Sequence, residues 1–195
     1  LGSNSLIDLV VFGRAAGLRC GETVEAGSAQ PELSGSASEL ALSRLDKMRH
    51  AAGGTPTAEL RLGMPRVMQN NCAVFRDGPV LEEGVREISR IWQSSGDIEI
   101  NDRTLIWNTD LVEALEYDNL ISQAAVTVFS AENRKESRGA HAREDFTERD
   151  DENWMKHTLA WADDATREVK IDYRPVHTYT MTNAMSYIEP KARVY

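Results

Sequence analysis

The chain has 195 residues, of which 41% are hydrophobic and 27% are charged, a composition typical of a folded protein with a substantial core. Its net charge of −9 at pH 7 argues against general binding to nucleic acid, whose phosphates it would repel. No apolar run approaches the roughly 18 residues that a membrane-spanning helix needs, so no direct membrane span is predicted.

The first predicted element is a strongly apolar helix over residues 6–18. Ser3, Asn4 and Ser5 are cap-forming residues, and Leu6 begins the apolar face. A helix this apolar needs more cover than the neighbouring residues provide, which predicts a larger body around it. Its free N-terminal amides and dipole suit an anionic or electron-rich group, and an ordinary capped core helix is the alternative.

The next segments alternate between linkers and helices. Residues 21–38 are rich in glycine, serine and alanine, as linkers are, and a second helix is predicted over residues 37–52. A third helix is predicted to start from a cap at Thr57, with Pro65 as a possible kink, and a fourth covers residues 77–95. The buried stripe predicted for the third helix comprises Leu60, Met64, Val67, Met68, Val74 and Phe75.

The longest helical pattern covers residues 109–136. Asn108, Thr109 and Asp110 offer side-chain oxygens for the first amides of this helix, and Asp110 with Glu113 has capping-box spacing. Gly139 is its predicted stop. At 1.5 Å per residue this helix would be about 42 Å long, so its apolar stripe must be buried by other helices. The fold class is therefore mainly α, with an antiparallel three-helix bundle over residues 57–137.

A segment dense in both signs of charge follows the long helix. Residues 138–152 contain three arginines and six carboxylates. Such a run is typical of a solvated loop. An ion-pair latch against a neighbouring subunit is the alternative, because arginine suits carboxylate pairing at interfaces.

The C-terminal part changes its hydrophobic period. Residues 157–162 and 168–174 alternate between apolar and polar positions around a polar segment, which predicts a β-hairpin. The bundle is thus followed by a small C-terminal α+β unit. The last residues contain β-formers and are predicted to wrap over the bundle or another domain.

The residues by themselves complete no active site. None of the four histidines has HExxH spacing or a neighbouring serine or cysteine nucleophile, and no GxGxxG or Walker loop is present. Cys20 and Cys72 have no CxxC spacing, so no metal site is predicted. On this basis alone the chain is a helical interaction module with a small β tail.

Five segments together resemble the C-terminal portion of the succinate dehydrogenase/fumarate reductase flavoprotein family. They are LGSNSLIDLVVFGRAAG, MPRVMQNNCAVFR, IWNTDLVEALEYDNL, SAENRKESRGAHAREDFTERDDENWMKHTLAW and VKIDYRPVHTYT. The resemblance covers essentially the whole chain, and its most specific motif is ESRGAHAREDF at residues 136–146.

This resemblance implies an FAD-dependent, quinone-linked oxidoreductase that converts succinate to fumarate in the tricarboxylic acid cycle and respiratory complex II. The chain would be a C-terminal fragment, inactive alone. Fumarate reductase and L-aspartate oxidase share the architecture, but residues 154–178 look more like succinate dehydrogenase. A non-catalytic helical module that binds a protein partner is the second alternative.

The resemblance also implies site residues, carried over position by position. Ser5 and Leu6 match residues that contact the flavin, and Ser3 matches one whose backbone meets the carboxylate of succinate or fumarate. No catalytic residue falls in this chain, because the family's proton-donating arginine and substrate histidines lie upstream.

The implied partners are an iron–sulfur subunit and membrane-anchor subunits. Arg138, His141 and Arg143 are expected to lie against the rest of the flavoprotein or the iron–sulfur subunit. The protein would be peripheral to the cytoplasmic face of a bacterial inner membrane, or to the matrix side of the mitochondrial one. The implied domains are 1–20 (terminal helix of the FAD-binding domain), 21–56 (linker and short helix), 57–137 (helical bundle) and 138–195 (C-terminal loop and β-hairpin).

Overall fold

A computed structural model of the protein describes residues 4–180 and 182–191. This part of the chain is mainly α, as predicted, with two small two-stranded sheets. The helices are α1 (Asn4–Thr23), α2 (Glu39–Arg49), α3 (Thr57–Asn71), α4 (Gly78–Ser94), α5 (Thr109–Asn133) and α6 (Asp151–Trp154). The strands are β1 (Thr55–Pro56), β2 (Ile98–Glu99), β3 (Lys156–Asp163) and β4 (Glu168–Pro175).

The contacts within the chain divide it into two units, Leu1–Leu40 and Ala41–Tyr195. In the first unit, α1 begins before the predicted start at residue 6 and has no acidic residue in its first turn. Residues 24–38 form turns and irregular chain. The large apolar side chains of α1 are 54–69% exposed, and they are Leu6, Ile7, Leu9, Val10, Val11, Phe12 and Leu18.

The core of the second unit lies between α3, α4 and α5, each of which packs against the other two. Its buried side chains include Leu60, Met64, Leu81, Ile88, Ile121 and Val128. Each such side chain contributes about 1.5–3 kcal/mol on burial. An exposed ion pair such as Arg90–Glu87 contributes little because water screens it, so the core and not the surface charges holds these helices together.

Side-chain caps set the starts of α4 and α5. Asp77 Oδ1 accepts a hydrogen bond of 2.8 Å from the backbone N–H of Val80. Asn108 Oδ1 does the same for the N–H of Leu111, at 2.8 Å. Asn108, one of the three predicted cap residues, is therefore the N-cap residue of α5, and the predicted capping box at Asp110 is wrong.

The predicted end of the long helix at residue 136 is also wrong. α5 ends at Asn133, and Arg134 leaves the helix with a ψ of 107°. Gly139 is not the stop but occupies a later turn, with a φ of 60°. The cause is tertiary, because the side chains of Arg134 and Glu136 bond to residues far along the chain, and such contacts override helix propensity.

The predicted burial of Val74 and Phe75 on the third helix is wrong as well. α3 continues through Pro65 but ends at Asn71, and the two side chains are 75% and 76% exposed. The guanidinium of Arg76 folds back and donates hydrogen bonds to the carbonyls of residues 72 and 73, at 2.9 and 2.7 Å. These bonds close a turn that directs the apolar pair outward.

The predicted β-hairpin is confirmed. β3 and β4 pair antiparallel, with Lys156 opposite Pro175 and Asp163 opposite Glu168. The carboxylate of Asp163 accepts hydrogen bonds from two N–H groups of the connecting turn, at 2.8 and 3.1 Å. The turn chemistry therefore fixes the register.

Several short features depart from the predicted pattern. β1 and β2 form a parallel pair of two residues each, and α6 lies in a segment predicted to be a loop. α2 is shorter than the predicted residues 37–52.

Among the helices of residues 4–180 and 182–191, none has both the length and the apolar character needed to cross a membrane.

The packing of α4 yields a test. A Cβ atom at Gly84 would lie 2.8 Å from Asn71 Cβ and 3.1 Å from Val128 Cγ2, so Gly84→Ala overpacks the core. We expect a net loss on the order of 1 kcal/mol in the free energy of unfolding, because overpacking outweighs the gain in helix propensity. The control is Gly63→Ala, whose Cβ would make an ordinary 3.5 Å contact with Ile91 and should stabilise α3. Urea denaturation measures both, and equal stabilisation by the two variants would contradict the prediction.

Candidate functional site

The ESRGAHAREDF motif and its neighbours form a cluster of charged side chains where three helices end or begin. We call this cluster the arginine hub. It comprises Arg76, Arg134, Glu136, Arg138, His141, Arg143 and Asp145.

Arg143 lies at the centre of the hub and is only 3% exposed. Its Nη1 donates hydrogen bonds to the carbonyls of Ala131 and Glu132, at 3.3 and 3.1 Å. These carbonyls belong to the last turn of α5, which has no intrahelical donors for them. The guanidinium thus caps the helix and places a positive charge at the negative end of its dipole.

Asp145 connects Arg143 to the start of α4. Arg143 donates from Nε and Nη2 to the two carboxylate oxygens, at 2.7 and 2.6 Å, and the N–H of Gly78 donates to Oδ2 at 2.8 Å. Arg143, followed by the amide of Gly78, lowers the pKa of Asp145 to about 2, although partial burial opposes this. Its stabilising effect is complete above about pH 4 and is lost as the pH falls towards 2.

Glu136 is a buried carboxylate, 1% exposed, with four hydrogen-bond donors. Arg138 donates from Nε and Nη2 at 2.8 and 3.0 Å, the N–H of Asp150 donates at 3.0 Å, and Arg134 donates from Nη1. Burial raises the pKa of Glu136, but these donors outweigh burial and the net pKa is lowered. The carboxylate is therefore ionised and its charge is compensated.

His141 connects the hub to the turn between α3 and α4. Its Nδ1 lies 2.9 Å from Arg76 Nη1, and its Nε2 lies 3.0 Å from the carbonyl oxygen of Arg134. A guanidinium can only donate and a carbonyl can only accept, so the ring is neutral with its proton on Nε2. Burial lowers the pKa of His141, and the charges of Arg76, Arg143 and Arg134 lower it further, although the bond to the carbonyl opposes them.

The hub also holds the β-hairpin. Arg134 donates to the carbonyls of Trp154 and Lys156 and to Thr158 Oγ1, at 3.0, 2.6 and 2.9 Å. Its guanidinium lies 5.2 Å from the centre of the Trp154 ring, which packs edge-on against Tyr173 with ring centres 6.0 Å apart. One arginine therefore couples the end of α5 to both strands.

The chemistry of the hub is structural. Its carboxylates are saturated with arginine and amide donors, and both ring nitrogens of His141 have partners, so the group offers neither a free base nor a nucleophile. Within the part of the chain that the structure describes, no group of three or more histidine, cysteine or carboxylate side chains is arranged to hold a metal ion. The arrangement fixes the relative positions of helix ends and strands.

The structure brings three of the six predicted site residues together. Arg138, His141 and Arg143 all belong to the hub, and their contact with another domain or subunit stays a prediction. Arg143 is not solvated, which sets it apart from an ordinary charged loop. Ser5 and Leu6 lie in the first turn of α1 and are exposed, whereas Ser3 lies outside the described residues.

Sequence reasoning missed four hub members, which are Arg76, Arg134, Glu136 and Asp145. The helical pattern places Arg134 and Glu136 in the long helix, and no pattern in the sequence gives Arg76 a role. A usable signal was the density of arginine after a helix, because buried carbonyls at a helix end need donors.

The buried carboxylate yields a test. Glu136→Gln removes the charge that compensates Arg134 and Arg138 and turns an amide N–H₂ towards their donors. We expect a loss of about 3–5 kcal/mol in the free energy of unfolding, the usual cost of breaking a buried ion pair. Glu148→Gln is the control, because its exposed side chain should change stability by about 0.5 kcal/mol or less. Urea unfolding with equal losses for both variants would refute a stabilising role for Glu136.

The neutral state of His141 yields a second test. Its folded-state pKa lies below the value of about 6.5 expected in the unfolded chain. Its stabilising effect is therefore complete above about pH 6.5 and is lost as the pH falls, by up to about 1.4 kcal/mol per pH unit. His141→Gln should flatten the fall in the free energy of unfolding between about pH 6.5 and 5. Identical pH slopes for the parent and His141→Gln would contradict the assignment.

Comparison with known proteins places this architecture in a family. Residues 61–195, which include the whole hub, match the family described as fumarate reductase flavoprotein C-term. The mitochondrial succinate dehydrogenase [ubiquinone] flavoprotein subunit of Oryza sativa subsp. japonica is 53% identical over 195 residues, covering 100% of this chain and 31% of the relative. The succinate dehydrogenase flavoprotein subunit of Rickettsia bellii is 52% identical over 195 residues, covering 100% and 33%.

A solved structure shows the same fold. The quinol fumarate reductase of E. coli superposes with a TM-score of 0.78 at 32% identity, covering 97% of this chain and 33% of that chain. The chain thus spans about a third of the length of the curated relatives it matches, 31% and 33% for the two described. It belongs to the succinate dehydrogenase/fumarate reductase flavoprotein family and corresponds to the C-terminal region of its members.

Proposed function

We propose that this chain is the C-terminal part of a succinate dehydrogenase flavoprotein. The whole flavoprotein would oxidise succinate to fumarate and pass the electrons through FAD to an iron–sulfur subunit and then to quinone. The observation that carries the proposal is the 53% identity to a succinate dehydrogenase flavoprotein over all 195 residues.

The N-terminal turn of α1 fits an electron-rich edge of FAD. Ser5 and Leu6 are exposed there, and the backbone N–H groups of a first helical turn have no intrahelical acceptors. No acidic side chain in this turn opposes the positive end of the dipole. A bound FAD would supply hydride acceptance at this site, and the first turn of α1 would stabilise negative charge at the adjacent flavin edge. The role of Ser3 at the substrate carboxylate rests on the resemblance alone.

The helices and the hub support a more detailed architecture. A short connection, residues 72–77, joins α3 to α4, and the hub bridges the end of α5 to the start of α4 through Arg143 and Asp145. Both features favour an antiparallel three-helix bundle. Residues 1–20 would then be the terminal helix of an FAD-binding domain, which the exposed apolar side chains of α1 support. Residues 21–56 would be a linker with a short helix, and residues 138–195 a C-terminal unit.

The proposed partners are those of a respiratory complex. They are an iron–sulfur subunit and membrane-anchor subunits, with the flavoprotein peripheral to a bacterial inner membrane or to the matrix side of the mitochondrial one. Arg138, His141 and Arg143 would contribute by holding the loop of residues 138–149 in one conformation, so that its outer face meets the rest of the complex.

Two alternatives differ in their support. The better supported alternative is a fumarate reductase or an L-aspartate oxidase, since the E. coli fumarate reductase shares the fold at 32% identity. A non-catalytic helical binding module is supported by the saturated hub and by the lack of a complete active site in the described residues. The higher identity to succinate dehydrogenases favours the first proposal over both.

A chimera tests the proposal. This chain would replace the matching region of the Rickettsia bellii flavoprotein, and succinate-dependent dye reduction and bound flavin would be measured. We expect an active chimera, because the identity of 52% extends over the whole segment. Adding Leu6→Asp should reduce the rate at least tenfold, by about 1.4 kcal/mol or more, since a carboxylate in the first turn of α1 repels a negative flavin.

The matched control is Leu33→Asp, at a residue that is 86% exposed in irregular chain and should not affect the rate. A chimera that binds flavin but does not oxidise succinate would reject the proposed function. Equal rates for the Leu6 and Leu33 variants would reject the role of α1.

A further inference from the structure

Three consecutive apolar side chains are exposed on the connection between β2 and α5. Leu105, Ile106 and Trp107 are 66%, 77% and 94% exposed. Single exposed apolar residues are ordinary, but a contiguous group that contains a tryptophan marks a surface that another body covers. We call residues 102–108 the apolar loop.

The apolar loop is held rigidly by its own polar groups. Asn108, which is only 6% exposed, donates from Nδ2 to the carbonyls of Asp102 and Thr104, at 2.6 and 2.9 Å. The carboxylate of Asp102 accepts from the N–H of Thr104 at 2.9 Å. Arg49 of α2 donates to the carbonyl of Arg103 and anchors the loop from outside. The backbone of the apolar loop is therefore held in place by hydrogen bonds on both sides of the three apolar residues.

The backbone of Trp107 is strained. Its φ of 52° is in the left-handed region, which bulky residues rarely adopt. The buried side chain of Asn108 and a 3.1 Å hydrogen bond from Thr109 N–H to the Trp107 carbonyl hold it there. Trp107 gains no burial from this strain within the described residues, and persistent backbone strain clusters where a protein binds something.

The chemistry of the apolar loop fits a permanent contact. An aromatic and two aliphatic side chains without a charge among them are typical of the desolvated centre of an interface, with polar residues such as Asp102 and Arg103 at the rim. The chain spans only 31% and 33% of its relatives, so most of the flavoprotein polypeptide lies outside it and has an interface with it to form.

We propose that the apolar loop docks into an apolar pocket on the remaining two thirds of the same flavoprotein polypeptide. The side chain of Trp107 is the anchor, and Leu105 and Ile106 seal the pocket around it. This inference rests on the proposed function, because that function supplies the larger polypeptide. A pocket on a separate subunit and a second copy of the flavoprotein are the competing occupants.

Hydroxyl-radical footprinting of the full-length flavoprotein, expressed without other subunits, tests the inference. Trp161 in β3 is the internal reference, because it is 51% exposed and so less exposed than Trp107 in this chain. Docking reverses that order, and we expect Trp107 to be oxidised at least about fivefold more slowly than Trp161, as for an anchor in a desolvated pocket. The ratio is read by peptide mass spectrometry at two protein concentrations.

Each outcome has a definite meaning. Protection of Trp107 in the flavoprotein alone, unchanged on dilution, supports the inference. Protection that disappears on dilution assigns the pocket to a second copy, and protection that appears only after the other subunits assemble assigns it to one of them; either result overturns the inference. Oxidation of Trp107 faster than Trp161 in the assembled complex also overturns it, because the loop is then exposed to solvent.

Variants separate docking from activity. Trp107→Ala should lower the unfolding temperature of the full-length flavoprotein more than Trp161→Ala does, because only the first empties a pocket. Succinate-dependent dye reduction by the unmodified flavoprotein is measured in parallel. An active flavoprotein with an unprotected Trp107 rejects the docking proposal and leaves the proposed function standing. An inactive flavoprotein with a protected Trp107 rejects the proposed function and leaves the docking of the apolar loop standing.

Discussion

The burial of Arg143 between the end of α5 and the start of α4 is the constraint on which the second unit depends. Burying a guanidinium here costs free energy unless its N–H groups find hydrogen-bond acceptors. Here the guanidinium bonds to two carbonyls of α5 and to both oxygens of Asp145, which in turn accepts from the first amide of α4. The apolar core supplies most of the stabilisation, and the directional bonds of the hub join the end of α5 to the start of α4.

The hub determines which charged side chains of the loop a partner can contact. Arg138 and Arg143 are predicted to lie at an interface. In the structure Arg143 is buried, and Arg138 is paired with Glu136 and Asp151. The side chains of Glu144 and Glu148 are instead exposed on the same loop. A neighbouring subunit or domain that approaches this loop therefore meets carboxylates, and the arginines act by fixing the backbone that presents them.

Local signals explain what could be predicted from the sequence. The hairpin followed from alternation and a polar turn, the cap at Asn108 from residue type, and the mainly α character from helical periodicity. The hub could not be derived in this way, because Arg76 and His141 are 65 positions apart and only the fold brings them together. Non-local bonds of Arg134 and Glu136 end α5 before Glu136. The exposure of Val74 and Phe75 follows instead from the local bonds of Arg76 to the carbonyls of residues 72 and 73. Resemblance to a family identified the motif as specific but did not reveal that its arginines face inward.

The span of the hub along the chain has a consequence for biosynthesis. Arg76 and Gly78 are bonded to residues 141 and 145, and Arg134 reaches Thr158. During translation, α3, α4 and α5 emerge before the loop that caps them. The last carbonyls of α5 and the first amide of α4 therefore lack their hub partners until Arg143 and Asp145 have left the ribosome. A nascent chain interrupted before residue 143 would have its helices but lack the side chains that join their ends, which makes truncated products natural targets for chaperones and proteases.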